Sequence, residues 1–499
     1  MKKSLIILLC ALFVISAFTA CANNTQETNA ADVTTEAGTE AETDPVETED
    51  ENYVMDPDTV AKATQFKGEK LTILANSGFW PADDLWREED SEDPVDSAIY
   101  NRNLAVESKY GFKIEVVEDA TVQTTIKNAF KSGISDYDVA AFCAYEACPL
   151  ASENIFQDLT TIENLNLSKH YWDQGLFEGL SIDNKLFYIT GDISTKANAG
   201  TFLMMFNKKL ASDYDLEDLY QVVRDGKWTL DYLNNIIKEH GYQDFDGDSK
   251  VGVYDIYGMG IQIEAYLAFY FGAGGRMVLK DTDQMPYLAL NTEKNVSVID
   301  KIYDLTRLDN KTIDAHDHLQ EPPYSTNEGF ASTVAFKENR CLFYLSNAAN
   351  ILGLREMDAD FGVLPTPKYD ENQKDYYSYV YHGAALFVIP VMNKRTEFTG
   401  FALEALCSES YKTVTPAYYE QTLKRKSQRD ADSWDMLDIV FRNRLWDLGY
   451  YARWGGIDDS FIGQIKKGTG SFAKWYKSAS KSATKAINKY IDAYKNSST

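Results

Sequence analysis

Apolar runs alternate with stretches of helical spacing in the first third of the folded chain. The runs KLTILA and YDVAAF are long enough for buried strands, and a shorter segment between them alternates apolar and polar residues. The predicted elements are strands at 70–75, 113–117 and 137–142 and helices at 99–110 and 122–131. Gly111 follows the first helix as a natural stop. This order predicts an α/β fold with a mostly parallel sheet, whose ligands bind beyond the carboxyl ends of the strands.

A second set of apolar runs predicts another group of strands further along the chain. These strands are expected at 201–206, 340–345, 361–364 and 384–389. Thr229 is the predicted cap of an amphipathic helix. Helical spacing dominates from Phe398 onwards, and residues 471–495 are predicted to form one long helix with its apolar face on the core. From Phe66 onwards the chain is too long for one core, which predicts two domains.

The amino terminus has the features of an export signal. Lys2 and Lys3 precede the apolar run 4–18, which is too short for a comfortable membrane span. Small residues before Cys21 resemble the bacterial lipoprotein signal, in which the chain is cut before the cysteine and the cysteine is lipidated, although Phe18 stands where leucine is usual. The resemblance implies a signal peptide at 1–20 and a lipid anchor at Cys21. An ordinary cleaved signal is the alternative.

An acidic segment follows Cys21. Residues 22–61 contain twelve Asp or Glu and neither Lys nor Arg. Such a stretch buries too little apolar surface to offset its chain entropy, so we predict a disordered tether over 21–65. The whole chain carries a formal net charge of −27. This acidic balance argues against nucleic acid as a partner.

The order of these segments resembles extracellular solute-binding protein family 1, the carbohydrate-binding components of ABC importers. The matching segments are 70–75, 136–142, 200–210 (GTFLMMFNKKL), 228–231, 336–344 (FKENRCLFY) and 360–368 (DFGVLPTPK). The resemblance implies a two-lobed periplasmic-binding-protein-like fold of type II, with hinge crossings near Gly200, near Pro365 and around 416–426. The implied lobes are 66–200 with 366–425, and 201–365 with 426–499.

This resemblance also implies a function. A sugar or oligosaccharide would be captured between the lobes by hinge closure and delivered to permease subunits and their ATPase. The protein would be a lipid-anchored monomer on the outer face of the cell membrane and would need no cofactor.

Candidate ligand-binding residues are aromatic, acidic or amide side chains near predicted strand ends. Aromatic faces cover the C–H face of a sugar, while carboxylates and amides bond its hydroxyls. The family resemblance implies sugar contacts for Glu264 and Tyr266, which lie shortly before a Gly pair, and for Trp454. The remaining candidates are Trp80, Asp83, Trp86, Tyr145, Glu146, Tyr270, Asn347, Tyr377 and His382. Packing in the core is the alternative for each of them.

One acidic segment has the spacing of a calcium loop. Asp244, Asp246, Asp248 and Asp255 occupy the first, third, fifth and twelfth places, and Lys250 could offer its carbonyl at the seventh. A short Asp at the last place and a glycine at the fourth depart from the helix–loop–helix pattern. The sequence therefore leaves open a structural calcium site or an acidic surface turn.

A surface glycoside hydrolase or lyase is the main alternative function. It would need a placed pair of carboxylates. The cluster of His316, Asp317 and His318 has metal-ligand residue types, but a solvated loop is the competing interpretation. The sequence shows no nucleophile elbow and no Gly-rich phosphate loop. We therefore expect a binding protein rather than an enzyme, with a polysaccharide adhesin as a third alternative. Cys143 and Cys148 could be bridged or free.

Overall fold

The computed structural model describes residues 50–134, 136–320, 330–423 and 431–496. The predicted signal peptide, the lipidation at Cys21 and most of the predicted tether lie outside the described residues. The strands are β1 Lys70–Asn76, β2 Lys113–Asp119, β3 Val139–Cys143, β4 Phe202–Asn207, β5 Tyr257–Ile261, β6 Val278–Lys280, β7 Pro286–Leu288, β8 Thr312–Asp314, β9 Cys341–Asn347, β10 Phe361–Leu364, β11 Ser378–Tyr379, β12 Ala385–Val388 and β13 Arg444–Leu445.

Helices fill much of the rest of the described chain. They are α1 Pro57–Ala61, α2 Pro94–Tyr110, α3 Val122–Ser132, α4 Ala144–Leu150, α5 Gln174–Leu180, α6 Lys196–Gly200, α7 Lys208–Asp213, α8 Leu219–Arg224, α9 Leu230–Glu239, α10 Ala265–Gly272, α11 Glu293–Arg307, α12 Ala331–Lys337, α13 Asn350–Gly353, α14 Thr396–Lys412, α15 Val414–Leu423, α16 Ala431–Arg442, α17 Leu448–Tyr451, α18 Ile457–Ile465 and α19 Phe472–Asn496. Short 3-10 turns occur at Glu51–Tyr53, Lys62–Phe66, Ala151–Glu153, Leu159–Thr161, Ala315–His318, Trp454–Gly456 and Thr469–Ser471. Within the described ranges, no helix is both long enough and apolar enough to cross a membrane.

Two larger sheets organise the fold. The first has the order β12-β3-β1-β2 and the second the order β10-β4-β9-β5-β8. We define the first lobe as the first sheet with α2, α3, α4 and α14, and the second lobe as the second sheet with α9, α11, α12 and α16, because these elements contact each other. The apolar runs predicted as strands and the two predicted helices of the first lobe are confirmed, with Gly111 ending α2 at φ 76°.

The two larger sheets are mixed, and four of their seven strand pairings are parallel. β1 runs parallel to β2 and β3, and β5 runs parallel to β8 and β9. β4 and β12 run antiparallel to their neighbours β9 and β3. The pairs Phe202–Asn347 and Ala385–Cys143 show why: β4 and β12 begin at the edge where β9 and β3 end. The carboxyl ends of the parallel strands therefore lie at the edge where the chain enters each sheet from the other lobe.

The passages between lobes lie beside one another. The Gly200 carbonyl accepts a 2.7 Å hydrogen bond from the Tyr381 amide, and Thr201 forms an isolated β-bridge with Val380. The predicted position of the second passage, near Pro365, is wrong. Trp228 donates its indole N–H to the Pro365 carbonyl at 2.9 Å, which holds that segment in the second lobe, so the chain crosses at 378–382. Part of the predicted third passage lies outside the described residues.

The segment 50–65 belongs to the folded body, although the prediction placed it in a disordered tether over 21–65. The Tyr53 ring stacks on Tyr411 with centroids 4.2 Å apart. Met55 and Phe66 are buried in the core. Asp56 forms a 2.7 Å ion pair with Lys169. The acidic residues of this segment predict disorder, but its apolar residues supply enough burial to fold it.

The predicted carboxyl-terminal helix is confirmed as α19. This helix contacts first-lobe residues as well, although the prediction assigned 426–499 to the second lobe. Tyr490 donates its hydroxyl to the Cys148 carbonyl, and the Tyr494 hydroxyl lies 3.2 Å from that of Tyr188. Cys143 and Cys148 are free thiols and form no bridge.

Candidate functional site

A cavity of about 480 Å³ lies between the two lobes, at the carboxyl ends of their strands. The first lobe contributes Phe79 and Trp80 from the loop after β1, and the hinge contributes Tyr381. The described residues of the second lobe that line it include Gln262, Ile263, Glu264, Ala315, His316, Leu319, Phe330, Thr333, Lys337, Asn347, Ala349, Asn350 and Leu352. We call this cavity the cleft.

The first-lobe wall of the cleft is aromatic. Asn76 ends β1, and its side-chain amide donates to the carbonyls of Phe79 at 2.9 Å and Trp80 at 3.3 Å. Its carbonyl oxygen accepts from the Gly78 amide at 3.1 Å. These bonds fix the loop so that the Trp80 ring lies 5.0 Å from the Tyr381 ring, while Phe79 remains 67% exposed. The wall therefore offers flat apolar faces to a ligand.

Glu264 supplies the carboxylate of the cleft. It immediately precedes α10 and is only partly exposed. Burial raises the pKa of its carboxyl group above the usual value. Its side chain has no hydrogen bond or ion pair to another of the described residues. A partly buried carboxylate without a partner is costly, and donors from a ligand would offset that cost.

Amide side chains from the second lobe line the cleft together with Glu264. Asn350 donates its side-chain amide to the Asn347 carbonyl oxygen at 2.9 Å, which leaves the Asn347 amide nitrogen without a partner among the described residues. Gln262 donates to the Tyr344 hydroxyl at 2.9 Å. These bonds orient neutral donors and acceptors at the cleft surface, as recognition of hydroxyl groups requires.

Three of the predicted ligand residues line the cleft: Trp80, Glu264 and Asn347. Phe79, Tyr381, Gln262 and Asn350 also line it, although the sequence reasoning did not select them. Tyr381 directly precedes the predicted ligand residue His382, so the prediction for that segment is wrong by one residue. Phe79 directly precedes the selected Trp80 and gave the same signal.

Tyr145 and His382 extend the aromatic surface beyond the cleft lining. The His382 ring centroid lies 4.2 Å from that of Tyr381 and 5.1 Å from that of Tyr145. Burial lowers the pKa of His382 to about 4, so the ring is neutral at pH 7. Its Nδ1 lies 2.7 Å from the Tyr450 hydroxyl. Glu146, next to Tyr145, has a carboxyl pKa that burial raises.

Other predicted ligand residues are core residues, and the prediction for them is wrong. Tyr266 and Tyr270 are fully buried on α10, where their hydroxyls donate to Asp314 at 2.8 Å and to the Arg276 carbonyl at 3.0 Å. Trp454 is buried edge-on against Tyr490. Glu264 and the two tyrosines lie in one short segment, but the helix that begins there turns the tyrosines into the core.

The remaining predicted residues lie away from the cleft lining. Asp83 forms a 2.5 Å ion pair with Lys196. Trp86 is 45% exposed outside the cleft. The Arg276 guanidinium lies 4.7 Å from the centre of the Tyr377 ring. These contacts occupy the side chains with other partners or place them on the open surface.

The His316–His318 segment forms a 3-10 turn. His316 lines the cleft. Asp317 accepts a 2.6 Å hydrogen bond from Arg307 and a 3.1 Å bond from Lys466. The two basic side chains therefore hold Asp317, and the cluster does not assemble as a metal site in the described chain.

The acidic loop brings three of its predicted ligands together. One carboxylate oxygen from each of Asp244, Asp246 and Asp255 lies within 4.8 Å of the others. The Asp255 oxygens accept from the Phe245 amide at 3.0 Å and the Gly252 amide at 2.8 Å. Asp248 accepts from the Lys250 amide at 2.7 Å and is not part of the group, and the Lys250 carbonyl accepts from the Tyr242 hydroxyl at 3.2 Å. The three grouped acids supply oxygen ligands of the type calcium prefers.

Solved structures share this fold at low sequence identity. The chain matches the maltose-binding protein MalE from Listeria monocytogenes, solved with maltose, with a TM-score of 0.52, 12% identity and coverage of 86% of this chain and 99% of that chain. UspC from M. tuberculosis matches with a TM-score of 0.54, 14% identity and coverage of 84% and 100%. A cyclo/maltodextrin-binding protein complexed with maltotetraose matches with a TM-score of 0.50, 15% identity and coverage of 86% and 97%. No protein-family model matches the chain, and no curated protein matches its sequence. The chain therefore has the two-lobed α/β fold of maltose-binding-protein-like structures.

Proposed function

We propose that this protein is the substrate-binding component of an ABC importer, and that it holds a sugar or oligosaccharide in the cleft. The proposal also places it on the outer face of the cell membrane, anchored through Cys21. The observation that carries it is Glu264, a partly buried carboxylate that has no partner among the described residues and faces an aromatic wall.

The chemistry of the cleft suits a polyhydroxyl ligand. The faces of Trp80 and Tyr381 can stack on the C–H face of a sugar ring. Glu264 can accept hydrogen bonds from hydroxyl groups, and the amide of Asn347 can donate to them. Such bonds would supply the Glu264 carboxylate with donors that no other described residue provides.

The position of the cleft suits capture by hinge closure. The aromatic wall belongs to the first lobe and the hinge, while Glu264 and Asn347 belong to the second lobe. A ligand that contacts both lobes favours the conformation in which both sets of contacts are made. Delivery to a permease would follow from release of that closed state at the membrane.

A glycoside hydrolase is less well supported. Hydrolysis of a glycosidic bond uses two carboxyl groups on either side of the bond, roughly 5 to 10 Å apart. Among the described residues that line the cleft, Glu264 is the one carboxylate. This arrangement favours binding of an unchanged sugar.

The proposal is tested by titration calorimetry with glucose, maltose, maltotriose, maltotetraose and raffinose. We expect stoichiometric binding of at least one sugar. Trp80→Ala and Glu264→Gln should each weaken that binding by about ten- to a hundredfold, the effect of a buried aromatic or a charged hydrogen bond. Trp86→Ala is the matched control, because Trp86 is an exposed tryptophan outside the cleft, and it should leave the affinity unchanged.

Other outcomes would contradict the proposal. Release of shorter sugars would indicate a hydrolase, and binding of long polysaccharides alone would indicate an adhesin. Equal affinity in wild type and Trp80→Ala would exclude the cleft as the site. The anchor is tested separately by incorporation of labelled palmitate into wild type and Cys21→Ala, where absence of label in the wild type would refute lipidation.

A further inference from the structure

A second cavity, larger than the cleft at about 620 Å³, lies on the other side of the hinge. No described residue lines both cavities. Asn198 lines the second cavity, whereas Ala349 lines the cleft and donates its amide to the carbonyl of Ala199 at 2.9 Å. The backbone at 198–199 therefore separates the two spaces. We call the second one the rear cavity.

The rear cavity has walls from both lobes. Tyr411 belongs to α14, which packs on α2 in the first lobe. Phe441 belongs to α16, which packs on β10 in the second lobe. Arg444 also lines the cavity and belongs to β13, which pairs with β11 at the hinge. A molecule bound here would contact elements on both sides of the hinge, as a molecule in the cleft would.

Stacked aromatic pairs line the rear cavity. The Tyr419 and Trp434 rings are nearly parallel, with centroids 5.4 Å apart. Tyr53 and Tyr411 stack with centroids 4.2 Å apart. All four rings line the cavity. Aromatic groups of this kind are the usual apolar surface of small-molecule sites, and the volume falls within the usual range of about 300–1,000 Å³.

A carboxylate without an ion pair faces the same space. Asp192 accepts a 2.8 Å hydrogen bond from the Thr415 hydroxyl and forms no ion pair with another described residue. Burial raises the pKa of its carboxyl group to about 7. By contrast, the neighbouring Asp173 is held by a 2.8 Å ion pair to Arg444. Asp192 therefore keeps capacity to accept further hydrogen bonds.

The surrounding charges decide the ligand class. Arg442 forms a 2.9 Å ion pair with Asp438, and Arg444 forms a 2.8 Å ion pair with Asp173. Together with Lys412 and Asp192, the described lining carries three basic and three acidic side chains. Its charges therefore balance and favour neither a cationic nor an anionic ligand. A neutral molecule with many hydroxyl groups can use both the donors and the acceptors while its apolar face stacks on the aromatic rings.

We propose that the rear cavity is a second binding site for a neutral polyhydroxyl ligand of sugar type, between the Tyr419–Trp434 pair and Asp192. This site lies beyond the proposed function, which concerns the cleft alone. The two sites share one chemistry: each combines aromatic faces with a carboxylate that forms no ion pair with another described residue. They differ in position, because the hinge separates them.

Fluorine NMR of the full chain labelled with 5-fluorotryptophan tests this proposal, because Trp434 reports on the rear cavity and Trp80 on the cleft. Trp434→Phe and Trp80→Phe assign the two resonances. The probes are glucose, maltose and raffinose, each titrated to about 50 mM, a weak-binding limit. We expect at least one sugar to shift the Trp434 resonance saturably. That shift should persist in Glu264→Gln and should weaken at least tenfold in Asp192→Asn.

The outcomes separate the two sites. A saturable Trp80 shift without any Trp434 shift would refute the rear site and leave the cleft proposal standing. A Trp434 shift that disappears in Glu264→Gln would also refute the rear site, because it would then report the cleft. Tyr419→Ala provides a second variant if Asp192→Asn fails to fold, and it should abolish the Trp434 response while the Trp80 response is retained.

Discussion

Glu404 and Glu264 are two glutamates with raised carboxyl pKa values. They differ in their hydrogen bonds, because other described residues donate to Glu404 and not to Glu264. Glu404 is buried on α14, where it accepts from the Tyr171 hydroxyl, from the Trp172 indole at 2.9 Å and from the Asn166 amide at 3.3 Å. Glu264 in the cleft has no such donor among the described residues. Burial raises both pKa values. The difference teaches that a raised carboxyl pKa alone does not indicate a ligand site, and that donors from neighbouring residues must also be considered.

The largest expected effect of this difference is on stability. Glu404→Ala removes a buried side chain and leaves the donors of Tyr171 and Trp172 unsatisfied, so we expect a loss of about 3–5 kcal/mol in the free energy of unfolding. Glu264→Ala is the matched control. Because its carboxylate has no partner from another described residue, the same substitution should change the free energy of unfolding by less than about 1 kcal/mol. Urea unfolding at pH 7 measures both values.

Equal losses in the two variants would contradict the comparison. If Glu264→Ala cost as much as Glu404→Ala, the Glu264 carboxylate would be a structural group rather than one reserved for a ligand. If Glu404→Ala cost nothing, the hydrogen bonds to Tyr171 and Trp172 would contribute no net stability.

The pH dependence of stability should depend on Glu404. Burial raises its carboxyl pKa from 4.5 to about 7, although the bonds from Tyr171 and Trp172 lower it in part. Between these values the folded protein keeps a proton that the unfolded chain has lost, so stability falls as pH rises. We expect this carboxyl to remove up to about 3 kcal/mol between pH 4.5 and 7. In Glu404→Gln the free energy of unfolding should fall correspondingly less. Parallel pH profiles of wild type and variant would contradict the assignment.

The core of the fold could be predicted from the sequence because buried apolar residues recur at the spacing of the strand or helix to which they belong. The apolar runs at 70–75 and 201–206 became β1 and β4, and Gly111 ended α2 as expected. The prediction of disorder was wrong for Tyr53 and Met55. The high local charge indicates a disordered segment, but its few apolar residues are enough to fold it. The direction of β4 and β12 could not be predicted from the sequence either, because no local pattern shows that these strands enter their sheets from the hinge.

The candidate site could be predicted only in part, because residue type does not reveal which way a side chain points. Glu264 and Tyr266 were selected together, yet the start of α10 leaves the first in the cleft and turns the second into the core. The rear cavity had no sequence signal at all. Tyr53 and Asp192 are far from each other and from Tyr419 and Trp434 in the chain, and only the packing of the amino-terminal turn Glu51–Tyr53, α15 and α16 brings the four residues together.

A smaller effect is expected on ligand affinity. Hydroxyl donors of a bound sugar favour the ionised form of Glu264 and so lower its pKa in the complex. Sugar affinity should therefore rise with pH and level off above the raised pKa of the free protein, by no more than about tenfold for each pH unit. Calorimetry at a series of pH values measures this rise. Glu264→Gln should show a flat profile, and a rise that persists in the variant would assign the titration to another group.

The smallest expected effect concerns the carboxylates of the acidic loop. Their hydrogen-bond partners differ from those of both Glu404 and Glu264. Their oxygens accept mainly backbone amides, such as those of Phe245 and Gly252 at Asp255. These neutral donors compensate the negative charges less than an ion pair does. We therefore expect binding of calcium by Asp244, Asp246 and Asp255 still to be favourable. At a calcium concentration about ten times the dissociation constant, the gain in the free energy of unfolding is about 1.4 kcal/mol. Thermal unfolding with and without calcium should show this stabilisation in wild type and lose it in Asp246→Ala, with Asp248→Ala as the matched control outside the group. An unfolding temperature that calcium leaves unchanged in wild type would show that backbone amides alone satisfy the loop.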